Sequence, residues 1–319
     1  MSIDRVATAA QSAFFLAQIQ NAGSALDKTQ EQIASGKNST TYAGFGDKTQ
    51  VLTATIAAQA RNTAYTDATK FAVTQTDLQD TQLTSLSSLA ASLKKAIGDA
   101  VSNGDASTLM TQAQSIFDQA SAILNSKDAN GDYIYSGGKT DVAPVTVGSL
   151  SALQALPSVT GAFANGDLTK SVQVADGVSV SYGLTASDVG TGLMQSLKDI
   201  VDFDAGSSGN LNTATSLSAA QNTFLTNAIA QVTNVSTSLN AATASNGYVS
   251  NRLTDAQTQQ ASMHTLYGSF ASNIQDTNMA QAATQLSLNQ TQLQAALQVT
   301  AGLHQLSLLN YLAAPSSGG

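Results

Sequence analysis

Cysteine and tryptophan are absent from this sequence, proline occurs three times, and Glu31 is the one glutamate among otherwise aspartate acids. Without cysteine there is no disulfide, no thiolate metal site and no cysteine nucleophile. Aromatic residues make up 5% of the chain, so a thick globular core would lack its usual large fillers. Charged residues amount to 11%, far below the roughly 25% of an ordinary soluble domain. The net charge of −8 argues against general affinity for nucleic acid, which rests mainly on basic contacts to phosphate. So little proline leaves long stretches free to be helical.

The few charges are also unevenly placed. There are none between Asp204 and Arg252, and none after Asp276. The segment from Thr277 onward is nevertheless not expected to enter a membrane. Gln281, Gln285, Asn289, Gln290, Gln292, Gln294 and Gln298 interrupt its apolar runs, so none reaches the roughly 18 to 20 residues a span requires. What remains is an apolar stripe with an amide-and-hydroxyl back. Such a helix can be packed on every side, because no face carries a charge that is costly to bury. The pattern predicts a helix meant for the interior of an assembly. No secretory signal is expected at the start either: Asp4 and Arg5 are followed by Gln11, Ser12 and Gln18 inside what would be the apolar region. Taken alone, that points to a cytoplasmic protein.

Length allows about two domains, and the periodicity organises them. Ile19, Leu26 and Ile33 are spaced by seven, with Phe15, Ala22 and Thr29 four before each, a heptad seam. It stops at Gly36, a residue suited to a helix C-terminal cap. Residues 38–48 read as a loop. A second helix is expected over about 49–103 and a third over about 106–125. In the middle, Tyr133–Tyr135 is β-prone. Val172 and Val174 alternate with polar residues, Asp176-Gly177 follows, and then Val178, Val180 and Tyr182. That is a hairpin pattern. Helices are expected again over about 187–203, 212–244 and 249–312. Met279, Leu286 and Leu293 repeat the spacing of the first helix, so the two ends are expected to pair.

Residues that suggest chemistry have plainer readings. His264 and His304 are far apart and have no carboxylate cluster in sequence reach. The chain has no His-Glu-x-x-His. Asp128-Ala129-Asn130-Gly131-Asp132 looks like part of a calcium loop but lacks the distal Glu, so it is read as a turn. Asp199, Asp202 and Asp204 are read as a solvated helix end. No catalytic, cofactor-binding or metal residues are assigned, and no cofactor and no enzymatic activity are expected.

Several ordered pieces carry a resemblance to a known family. They are Ala25-Leu26-Asp27-Lys28-Thr29-Gln30-Glu31-Gln32-Ile33-Ala34-Ser35-Gly36-Lys37 near the start, Asn251-Arg252-Leu253, Asp276 through Leu286, Gln290 through Leu297, and Leu306 through Leu312. Together they resemble the bacterial flagellin superfamily, which includes filament subunits and the hook–filament junction (hook-associated) proteins. The likeness covers about residues 2–140 and 187–312. Tyr133-Ile134-Tyr135-Ser136-Gly137-Gly138 and the ending Leu309-Asn310-Tyr311-Leu312 are similar to the junction protein. The start Met1-Ser2-Ile3 is closer to filament subunits. The loop Tyr42–Asp47 departs from the family, lacking its usual Asp-Asp or Asp-Pro.

The resemblance implies a mainly α fold: an elongated rod of long antiparallel coiled-coil helices from both chain ends, with a small β-rich insert in the middle. Its implied divisions are a core helix and turn for assembly over 1–45, rod helices over 46–128, the insert over 129–186, rod helices over 187–270, a second core helix over 271–312 and a flexible tail over 313–319. It implies a structural subunit that polymerises into the flagellar filament for swimming motility. A junction protein adapting hook to filament is the alternative, and a surface glycan-binding adhesin the second. Its implied partners are further copies of itself in a helical homopolymer, other flagellins and hook-associated proteins, and a flagellar export chaperone. It implies an extracellular location, reached through the flagellar type III route without a cleaved signal, which reverses the cytoplasmic inference. The residues expected to form the self-assembly interface are Phe15, Ile19, Leu26, Ile33, Met279, Leu286, Leu293, Leu297, Leu303 and Leu306. Because isolated helices are marginal in water, residues 1–35 and 280–312 are expected to be mobile in the monomer and to order on polymerisation.

Overall fold

The computed structural model describes the backbone of residues 3–312 and the side chains of residues 10–302. The expected tail, 313–319, lies outside the described residues. In chain order the elements are α1 (Ile3–Ser35), α2 (Thr49–Asn103), α3 (Leu109–Leu124), α4 (Leu150–Gln154), β1 (Lys170–Ala175), β2 (Val178–Tyr182), α5 (Ala186–Ala205), α6 (Ala219–Gln275) and α7 (Met279–Leu312). Short 3-10 turns occupy Tyr42–Lys48, Val159–Ala162 and Leu211–Thr213. The chain is thus mainly helical, with long helices from both ends and a two-stranded antiparallel sheet in the middle.

Two compact units are distinguished. One comprises Met1–Ala60 with His264–Gly319, the other Arg61–Met263. In the second unit, α2 and α6 run antiparallel. The amide of Asn62 donates to the Gln260 carbonyl at 2.9 Å, while that of Asn246 donates to the Thr76 carbonyl at 2.8 Å. Farther along, both helices turn apolar inward: Leu83, Leu86, Leu93 and Ile97 meet Leu225, Val232 and Leu239 in one buried cluster. α3 adds Leu109, Ala113, Ile116, Phe117, Ala120 and Leu124, all from one helical face. α5 starts with a capping box, in which the Thr185 hydroxyl receives the Asp188 amide and the Asp188 carboxylate receives the Thr185 amide. At Gly190 a Cβ would come within 2.7 Å of Leu124, so the absent side chain sets how closely α5 approaches α3.

The hairpin forms where alternation and Asp176-Gly177 place it. Val172 pairs with Val180 and Lys170 with Tyr182, with an irregularity between Gln173 and Ala175. Gly177 has φ +73°, a left-handed turn conformation that glycine adopts without strain. The inward residues Val172, Val174, Val180 and Tyr182 bury against Ala72 of α2 and Leu253 of α6.

Three local expectations are corrected. The β-prone Tyr133 makes only an isolated bridge to Lys127, because the backbone there is taken up by turns: the Tyr133 amide donates to the Thr140 carbonyl, and the Ser136 carbonyl accepts from the Lys139 and Gly166 amides. The expected break near residues 245–248 is absent, and α6 continues through it. Gly247 costs a helix about 1 kcal/mol, but neighbouring Asn246 is buried and bonded across to α2. The break falls instead at residues 276–278. There the Thr277 amide donates to the Gly36 carbonyl at 2.9 Å, and Asn278 caps α7 by accepting from the Gln281 amide.

Candidate functional site

The terminal pair, α1 with α7, is the candidate assembly site. The two helices run antiparallel: the end of α1 meets the start of α7, while Asn289, farther into α7, reaches back to Ala25 and Thr29. A clamp closes the shared end. Lys37 and Asp276 form an antiparallel bridge, and the Asn38 amide donates to the Gln275 carbonyl at 2.7 Å. The Asn38 side chain also donates to the carbonyls of Ile274 and Asp276, and accepts from the Thr277 hydroxyl at 2.9 Å.

Along the pair, the buried and half-buried positions of α1 include Phe15, Ile19, Ala22, Leu26, Thr29 and Ile33. Those of α7 include Ala282, Leu286, Asn289, Leu293, Ala296 and Thr300. Both sets alternate steps of three and four, the spacing of a heptad seam. Of the residues expected at a self-assembly interface, Phe15, Ile19, Leu26, Ile33, Leu286 and Leu293 are therefore turned partly toward the partner helix of the same chain. Met279 and Leu297 are about half exposed, at 49% and 50%. Leu303 and Leu306 lie outside the described side chains.

Other exposed apolar residues went unnoticed in the periodicity. Phe14 is 60% exposed and Leu16 57%; they flank the seam on α1, and Phe14 meets Phe15 edge to face at 5.7 Å. Leu288 and Val299 are similarly exposed on α7. With Leu297 they give the pair apolar side chains directed away from the seam. A signal was present in sequence: these positions neighbour the heptad phase, and α7 has no charged residue at all. The start of α7 is set by Asn278, whose side chain accepts from the Gln281 amide, a cap that the expectation of one helix over 249–312 did not include.

The remaining motifs resolve into structural roles. Leu253 of Asn251-Arg252-Leu253 is fully buried beneath the hairpin, while Arg252 lies over the Tyr248 ring at 5.9 Å. The hairpin tip is tied to α2 by the Tyr65 hydroxyl, which donates to Asp176 at 2.6 Å. That bond to a carboxylate raises the phenol's pKa. Asp128 forms a turn: one carboxylate oxygen accepts from the amides of Asn130 and Asp132, and the other from Gln75. Of the three aspartates read as a solvated helix end, Asp202 is exposed and Asp199 and Asp204 are half-buried. Asp202 pairs with the buried Lys198 at 3.0 Å, and Asp204 accepts from the Leu211 amide at 2.5 Å. His264 meets Gln59 at 3.4 Å. Among the described residues no three His, Cys, Asp or Glu side chains group as metal ligands, and no helix is long and apolar enough to cross a membrane.

Comparison with known proteins bears on the same helices. Residues 225–312 match the family model described as the bacterial flagellin C-terminal helical region. Flagellar hook-associated protein 3 of Salmonella typhimurium is 26% identical over 166 residues, covering 51% of this chain and 49% of that protein. Its counterpart in Escherichia coli is 33% identical over 91 residues, covering 27% and 29%. The chain thus spans about half or less of the curated relatives it matches. Among solved structures, a putative flagellar hook-associated protein from Vibrio parahaemolyticus superposes with a TM-score of 0.58 at 17% identity, covering 72% of this chain and 97% of that one. Bacillus cereus FlgL superposes with 0.51 at 13% identity, covering 69% and 98%. At these identities the two structures speak for the fold. The family-model match and the two curated relatives make the chain similar, over part of its length, to the flagellin and hook-associated protein 3 superfamily.

Proposed function

We propose that this chain is a structural subunit of the junction between flagellar hook and filament, and not the filament subunit that the sequence alone favoured. The observation that carries this is the similarity to hook-associated protein 3 in two species, over 51% of the chain in one of them. The motifs Tyr133–Gly138 and Leu309–Leu312 point the same way. No specific observation favours the glycan-binding alternative.

The physical basis is the terminal pair. Axial assemblies are built from heterologous contacts that do not close on themselves. Burying one Leu or Ile side chain is worth roughly 1.5–3 kcal/mol, so a few outward residues such as Leu16, Leu288 and Leu297 suffice to bias assembly once ordering entropy is subtracted. The absence of charge on α7 lets neighbours cover it without stranding an ion. The partners are copies of this chain and the hook-associated and filament proteins on either side, with a dedicated chaperone before export. The site of action is outside the cell, reached by the flagellar export route. The role is structural and not enzymatic.

Electron microscopy tests the reading. The purified chain is expected not to grow long filaments on seeds, and cells lacking it are expected to carry hooks without filaments. Long filaments from this chain alone would return the assignment to filament subunit.

A further inference from the structure

The α1–α7 seam is chemically repetitive. Its α1 positions recur every heptad, as do those of α7, so apolar matching alone gives similar burial when one helix slides by seven residues. Flanking ion pairs commonly break such degeneracy, but α7 has no charged residue to offer. One position differs from the rest. Asn289 is 3% exposed and Thr29 is 4% exposed, and they meet. The Asn289 amide donates to Thr29 Oγ1 at 2.9 Å and to the Ala25 carbonyl at 3.0 Å. The Thr29 hydroxyl donates to the Ala25 carbonyl at 2.8 Å, and Gln285 donates to Asn289 Oδ1 at 2.9 Å. The amide is thus satisfied on both its oxygen and its nitrogen.

We propose that the Asn289–Thr29 contact is the register key of the terminal helix pair: it selects one alignment among those the apolar seam would accept. Slid one heptad in one direction, Asn289 would face Ala22 and Thr29 would face Ala282. Slid the other way, they would face Gly36 and Ala296. Either slip carries the Asn289 amide nitrogen away from Thr29 Oγ1 and the Ala25 carbonyl, while the Thr29 hydroxyl and Asn289 Oδ1 keep their partners on their own helices; an amide nitrogen held in the seam without an acceptor is penalised. A single buried asparagine setting alignment at some cost in stability is a known device of paired helices. Correct register in turn brings Gly36–Asn38 opposite Gln275–Thr277, so the clamp closes only in the selected alignment.

The absence of cysteine makes the test direct. Nitroxide labels at Gln20→Cys and Thr284→Cys, both on exposed positions, report the separation of the helices along their common axis. Pulsed dipolar spectroscopy is run on the full chain, diluted into unlabelled chain, with sulfate present to favour apolar burial. Sulfate is there to pair the two ends, which are expected to be mobile in the monomer without it, and under it the parent is expected to give one narrow distance distribution. Asn289→Leu and Thr29→Val are expected to give a broad or split one, with components displaced by about 10 Å for a seven-residue slip, at unchanged or greater helicity by circular dichroism. Thr29→Ser, which keeps the hydroxyl, should restore the single peak. A narrow, unshifted distribution in both Asn289→Leu and Thr29→Val would overturn the proposal, since the clamp would then set register unaided. A broad distribution in the parent would overturn it too.

Discussion

The amide of Thr277 donates to the carbonyl of Gly36 at 2.9 Å, so the turn that ends the first helix is also what interrupts the last long helical stretch. Neither residue does this alone. Gly36 takes φ +68°, which turns the chain out of α1, and Lys37 and Asn38 then present backbone and amide groups to Gln275, Asp276 and Thr277.

The first prediction concerns that turn. Gly36→Ala places a Cβ in a left-handed conformation, at a cost of roughly 1–2 kcal/mol. There is no steric obstacle to the methyl group, so the loss reflects backbone strain alone. It is measured as a lowered urea midpoint with an unchanged denaturant slope, and as faster proteolysis around residues 36–48.

Under the hairpin, Leu253→Ala empties a fully buried site between Ala72 and the strand valines. The expected destabilisation is about 2–5 kcal/mol. The hairpin loses its support with it, which hydrogen exchange at Val172 and Val180 will report. Tyr248→Ala, at an exposed position on the same helix, should change stability by less than about 0.5 kcal/mol.

Tyr135 is fully buried and, among the described residues, its hydroxyl has no hydrogen-bond partner. Burial raises its pKa well above the ordinary 10.0. A raised folded-state value means the folded protein holds the proton after the unfolded chain has released it. The stability this contributes is therefore complete below about pH 10 and declines as pH rises above it. Tyr135→Phe removes both the orphaned hydroxyl and the titration. Stability at pH 7 is expected to stay level or rise by up to about 1 kcal/mol, and the alkaline decline seen in thermal melts between pH 9 and 11 should flatten.

Leu16→Gln and Leu288→Gln alter outward apolar residues of the terminal pair without touching its seam. Each removes roughly 1.5–3 kcal/mol of burial from any contact with a neighbouring subunit, a tenfold to hundredfold loss in association. Helicity by circular dichroism should be unchanged. If co-sedimentation with hook-associated partners is equally unchanged, the outward residues are not the contact.

Much of this architecture is legible without coordinates. The heptad spacing of α1, the limits of α2 at Thr49 and Asn103, and the hairpin around Asp176-Gly177 follow from local patterns: periodicity, a Gly break and a turn dipeptide act over a few residues. The lack of charge after Asp276 is likewise a sequence property, and it is what makes α7 fit for enclosure.

Other features depend on residues brought together from distant parts of the chain. The α6 helix runs through Gly247 because Asn246 finds the Thr76 carbonyl on α2. It ends before Thr277 with Gly36 and Asn38 holding the other side. Which α7 residues face inward was also not settled by the spacing of Met279, Leu286 and Leu293, since Asn289 is buried while Leu297 is half exposed. The reason is common to all three cases. Periodicity and propensity measure each residue against its neighbours in sequence, each worth a fraction of a kcal/mol. A buried amide or carbonyl that finds its partner across the fold outweighs them, and that partner is known only when the chain has folded.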